Sequence, residues 1–319
     1  SRLFEAISQH YKDRLQGGSP CYKLLIRRMD NMANSDTNKV QSSNSNQHNQ
    51  QQSQTEILEY GDIYFFYRPK VRSEEVKGIE DVRRFFMITA PEQQANDNNK
   101  NDNDNRIYRL FIIGKKSLPT IRRTEARASE RYWARVGGIF KDANGLTKEL
   151  LSDEFRRGDA ARPVGEGKYA ILKYRNHTEL AYILEMPKDP GEAQKELGIQ
   201  KEASYVISVI NPRKTRSPAE GYPSTEEPAK YPDEVLKEFN ETENFISIIK
   251  DTKFIDYQNA QIILIGAREG KDVIKNEIGI ELEMEENDQT QQQSADIFSK
   301  LKLRKDQIPI RPLIEGRLE

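Results

Sequence analysis

Cysteine, tryptophan and histidine are nearly absent. The 319 residues hold one Cys (Cys21), one Trp (Trp133) and three His (His10, His48 and His177). A lone cysteine excludes an intrachain disulfide and leaves no set of thiolates for zinc or an iron–sulfur cluster. Net charge is also lacking, because 50 Lys and Arg stand against 51 Asp and Glu, giving −1 overall. No apolar run approaches the roughly 18 residues of a membrane-spanning helix. The N-terminus has no apolar stretch of the kind a secretory signal needs, so the expected location is the cytoplasm. Apolar residues make up only 35% of the chain, and three polar tracts account for the shortfall: 34–54, 92–105 and 286–294, all rich in Asn, Gln or both. Segments so polar bury too little apolar surface to offset chain entropy, and disordered insertions are expected there.

The remaining segments carry ordinary structural signals. Short runs rich in aromatic and β-branched residues read as strands at 61–69, 84–91, 107–114, 168–174, 180–187, 204–212 and 261–266. RNHT, 175–178, lies between two of them as a hairpin turn. Helices are expected at 120–136, 147–157, 189–198, 231–240 and 270–279. The third has the fullest signature, with Asp189 as N-cap, Pro190 next, Glu192 three on from the cap, and Gly198 as terminator. Strands and helices do not alternate strictly. The expected fold is therefore α+β, with mostly antiparallel sheet, several flanking helices and polar disordered insertions. The organisation reads as an extension over 1–55, a sheet block with a basic helix over 56–160, a second sheet and helix block over 161–285, and a tail over 286–319. The two blocks are free to share one core.

Motifs for chemistry are sparse. Neither Gly114-Lys115-Lys116-Ser117 nor Gly167-Lys168-Tyr169 completes a phosphate loop. The first has Arg109 where its leading glycine belongs, and the second has Tyr169 where Ser or Thr is required. Of the histidines, only His177, in the hairpin turn with Glu179 just downstream, is a candidate acid, base or ligand. No nucleophile is spaced to serve it. No catalytic residue, metal ligand or cofactor is assigned, and an enzyme with a pocket near His177 stands as an alternative.

GDIYFFYRPKV, 61–71, is the most distinctive string. As a strand it puts Ile63, Phe65 and Tyr67 on one face and Asp62, Tyr64, Phe66 and Arg68 on the other. Aromatics on both faces suit a central strand buried on two sides. The functional reading of the second face is a stacking platform of Tyr64 and Phe66, edged by Arg68. Residues 61–69 resemble the GD…FY strand of the PUA/EVE-like family, small β-barrels that bind RNA or modified bases. That resemblance, confined to these nine residues, implies an RNA- or DNA-binding module. The segment also resembles one in uncharacterised prokaryotic proteins, which implies no function.

The near-zero net charge hides two poles. Residues 106–135 hold nine Lys and Arg against Glu125 and Glu130, while 269–288 hold eight acidic residues against Lys271 and Lys275. Arg123, Arg127, Arg131 and Arg135 recur at every fourth position, which would stripe one face of a helix. Three readings of the stripe stand: a solvated face, a contact with the acidic pole within one chain or across a homodimer, and an interface for nucleic acid or an acidic protein surface. In the last, Lys115, Lys116 and the arginines would meet phosphate while Trp133 stacks. The function expected from sequence is a non-catalytic binding protein.

Overall fold

In the computed structural model the described residues are 56–70, 76–92, 106–121, 131–151, 160–174, 176–214, 227–248, 251–267, 296–304 and 308–319. They form a β-barrel. Nine strands are present among them: β1 (Glu56–Pro69), β2 (Val82–Pro91), β3 (Tyr108–Ile113), β4 (Tyr132–Phe140), β5 (Arg162–Lys173), β6 (Thr178–Met186), β7 (Glu202–Ile210), β8 (Phe245–Ser247) and β9 (Gln261–Gly266). Eight close a ring in the order β6-β5-β1-β2-β3-β4-β9-β7, sealed by the β6–β7 pairing. Every pairing is antiparallel. One edge of β7 carries β6 along residues 202–206 and the short β8 along 208–210. At that junction the Thr178 hydroxyl donates to Ile207 O at 3.0 Å and lies 3.1 Å from Ser247 Oγ.

This overturns the α+β expectation of several flanking helices. The α-helices among the described residues are five short segments, α1 (Ala143–Leu151), α2 (Glu192–Glu196), α3 (Asp233–Leu236), α4 (Asp296–Lys300) and α5 (Arg311–Ile314). The largest correction falls on the arginine segment, whose end is strand β4 rather than helix. A four-residue repeat is also a multiple of two, so Arg131 and Arg135 fit a strand's alternation as well as a helix face. Tyr132, Ala134 and Val136 pack with the interior, and Trp133 joins a separate cluster with Ile210 and Ile263. Ladders to β3 and β9 fix that choice. Arg123, Arg127 and the helix expected at 270–279 lie outside the described residues.

An eight-stranded barrel is just wide enough for its side chains to fill it. Here Phe65, Phe85, Tyr182 and Tyr205 lead the filling, with the Phe65 and Tyr182 rings edge to face at 5.1 Å. α2 and the tail 308–319 cover one end. There the buried Gln194 donates to Val164 O and Pro312 O at 2.8 and 2.9 Å, and the Glu319 N–H donates to the Tyr67 hydroxyl at 3.1 Å. The segment 231–260 covers the other end with Tyr231, Phe239 and Phe254. Outside the barrel, Tyr64, Phe66, Phe86, Ile88 and Leu110 form a second core with α1 and α4. β1 is thus buried on both faces, as its aromatic pattern implies.

Candidate functional site

Tyr64 and Phe66 are 1% and 0% exposed, beneath the helices of the outer core. Arg68 is likewise buried. Its Nη2 donates to Glu149 O at 2.8 Å and to Leu150 O at 3.2 Å, capping the last carbonyls of α1, which suits a cation there. These three side chains are structural, and as placed they offer no platform to a base. The nine residues of the PUA/EVE-like resemblance thus form part of a strand buried on both faces.

The structure does bring other expected residues together. Gly114 N–H donates to Trp133 O at 2.8 Å, so Lys115, Lys116 and Arg131 emerge at the same end of the barrel from the β3–β4 connection. The Lys115 ammonium lies 4.3 Å from the centre of the Tyr132 ring, an arrangement that fixes a cation over an aromatic face. Lys115 and Arg131 are exposed, and Lys116 is half-buried with φ +60°. Arg135 points outward and donates to Asn259 Oδ1 at 2.9 Å. Trp133 stacks on Phe245 at 6.3 Å and is only 8% exposed. It anchors the outer wall at β4, β7, β8 and β9.

His177 sits at the β5–β6 turn, its ring stacked 4.9 Å from that of Tyr174. Its Nε2 is 2.9 Å from Glu179 Oε1, and the other carboxylate oxygen accepts from Ser204 Oγ at 2.5 Å. The carboxylate thus stands between imidazole and hydroxyl, and Ser204 is wholly buried. That is not the geometry of a base activating a nucleophile, where the hydroxyl faces the imidazole.

Two charged clusters escaped sequence reading. Inside the barrel, Arg109 holds Glu59 through two bonds of 2.6 and 2.9 Å and Asp256 through a third of 2.5 Å. Tyr169 and Thr252 donate to the same Glu59 carboxylate at 2.6 and 2.9 Å. Burial works against the Arg109 charge, but Glu59 and Asp256 overcome it and hold the guanidinium protonated. Burial likewise raises the Asp256 carboxyl above its ordinary value, against the opposing pull of Arg109.

On the outer surface, Asp62 gathers three cations from three separate segments, β5, α4 and the approach to β3. Arg106 Nη1 reaches its Oδ2 at 2.6 Å, Lys300 reaches Oδ1 at 3.2 Å, and Lys168 also bonds Oδ1. The Asp62 side chain is 3% exposed, whereas the cations are 24–30% exposed. Burial pushes the Asp62 carboxyl up, yet Lys168, Lys300 and Arg106 together hold it below its usual range. Positions 62, 106, 168 and 300 share no sequence spacing. Only the adjacency of Asp62 and Lys168 across the β1–β5 ladder joins the first pair.

No family model, curated protein or solved structure matches the chain. Function is therefore argued from these side chains. Among the described residues no group of three or more His, Cys, Asp or Glu is placed to hold a metal ion, and no helix is long and apolar enough to cross a membrane.

Proposed function

We propose that the chain is a non-catalytic cytoplasmic binding protein that takes a phosphate-bearing polymer, RNA or DNA, at the β3–β4 end of its barrel. The observation that carries this reading is the grouping of Lys115, Lys116 and Arg131 around the β3–β4 connection, with Tyr132 beneath the Lys115 ammonium. Cations held on a rigid sheet end can meet successive phosphates with little ordering cost, and each contact releases counterions from the polymer. The filled interior directs contact to the rim.

The test is binding of labelled mixed-sequence RNA and DNA to the full chain across roughly 50 to 200 mM salt. The comparison is the variant Lys115→Gln, Lys116→Asn, Arg131→Gln. Asparagine is chosen at 116 because it tolerates the left-handed backbone there. Affinity should fall with salt, and the variant should bind more weakly, with a log–log salt slope shallower by about two to three. Equal binding by both proteins would overturn the reading, and so would no binding by either.

A further inference from the structure

We infer that the Asp62 cluster is a site for a phosphate monoester or inorganic phosphate, separate from the polymer-binding end of the barrel. The β3–β4 connection lies at the end where β1 finishes, whereas Asp62 lies midway along β1 on the outer face, paired with Lys168 of β5 and Ala90 of β2. The two surfaces therefore stand or fall independently.

The charge of the cluster favours an anion. Arg106, just before β3, Lys168 of β5 and Lys300 of α4 all bond one carboxylate. The neighbouring acid on that face, Glu166, is turned to the outer core, where its Oε2 accepts the Ile297 N–H at 2.7 Å. Counting Asp62 and Glu166 against the three cations, the cluster remains positive. Donor capacity comes next. A guanidinium has five N–H donors and an ammonium three, so one bond to Asp62 uses a small part of what Arg106 and Lys168 can give. The cluster is also preorganised. Asp62 is buried and fixed by its ladder position, so it holds the cations at one point while each retains solvent access. A tetrahedral dianion needs that arrangement of several charged donors converging from different directions, one of them a planar fork.

The experiment titrates the full chain with inorganic phosphate against chloride at matched ionic strength, reading heat of binding and melting temperature. Phosphate should bind at one site per chain and raise the melting temperature beyond the chloride control. The double variant Arg106→Gln, Lys168→Gln should lose roughly tenfold or more in affinity. Asp62→Asn gives the sharper reading: phosphate should raise its melting temperature by more than it raises that of the unaltered chain, because the anion takes over the role of the missing carboxylate. Should either variant fail to fold, the titration of the unaltered chain still decides. Phosphate acting no differently from chloride would overturn the proposal. Two further arms separate the sources of the phosphate, a 5′-phosphorylated and a 5′-hydroxyl oligonucleotide. A gain from the 5′-phosphate assigns the site to a polynucleotide end, and inorganic phosphate binding without that gain assigns it to the free ion.

Discussion

Arg109 is the residue on which the barrel interior depends most. It is 3% exposed, and of the two acids bonded to it Glu59 is buried while Asp256 keeps about a third of its side chain in solvent. Removing the guanidinium leaves the buried Glu59 carboxylate without its cation. Arg109→Met, which keeps much of the side chain's length, is therefore expected to destabilise the chain by about 3–5 kcal/mol in urea unfolding. The acidic limb of stability has a second origin, in Asp62. Its folded-state value lies below the ordinary 3.8, so its contribution is fully present above that value and is lost as the pH falls through the lower, folded one. Asp256 works with the opposite sign, since its folded-state value is raised. Comparing stability at pH 7 and near pH 3, Asp62→Asn should lose less on acidification than the unaltered chain does. An identical loss would remove Asp62 from the account.

At the scale of elements, β4 tests the correction made to the arginine segment. In a strand, Ala134 faces the interior and Arg135 faces out. Ala134→Leu should then overpack the barrel and cost about 1–3 kcal/mol. Arg135→Gln, which loses a part-buried bond to Asn259, should cost no more than about 1.5 kcal/mol. A helix over 120–136 would not separate the two neighbours by face in this way. A similar test applies to α2, whose end was legible in the sequence. Gly198 has φ +70°, its N–H donates to Lys195 O at 3.1 Å, and the Ile199 N–H donates to Gln194 O at 2.8 Å, which is the Schellman arrangement. Gly198→Ala should cost at least about 1–2 kcal/mol from the left-handed backbone, with the Leu118 carbonyl oxygen 2.7 Å from the new Cβ adding to it. Thermal unfolding of the variant measures the sum.

The seven expected strands all exist, since runs such as QIILIG and SYVISVI carry period, branching and burial together. What failed was the inference from element order to fold class. Barrel closure depends on which edges meet, and β6 meeting β7 while β9 slips between β4 and β7 leaves no mark on local pattern. β4 was hidden by a repeat that two periodicities share. The sequence signature puts the N-cap of α2 two residues early, at Asp189, whereas the helix is capped from Gly191, whose N–H donates to the Gln194 side chain at 2.9 Å. Of the candidate surface, Lys115, Lys116 and Arg131 were visible as a basic run. The Asp62 cluster was not, because its four members come from distant positions that only the fold makes neighbours.

For the molecule as a whole, the ladder between β1 and β5 matters most, with an ion pair between Glu56 and Lys173 spanning 117 positions. Pairings this remote must close long loops before they return any stability, so refolding is expected on the scale of roughly milliseconds to seconds rather than microseconds. Stopped-flow fluorescence of Trp133, which stacks on Phe245 of β8 across the outer wall of β4, β9 and β7, would report it. The packed interior has one more consequence. Positions facing inward on eight strands answer to a single shared volume, and altering one obliges its neighbours to adjust. The exposed side chains of Lys115 and Arg131 on the β3–β4 rim lie outside that volume, so ligand preference can drift there through successive substitutions while the framework stays as it is. Two chains with this barrel and different rims would be expected to melt alike and bind differently.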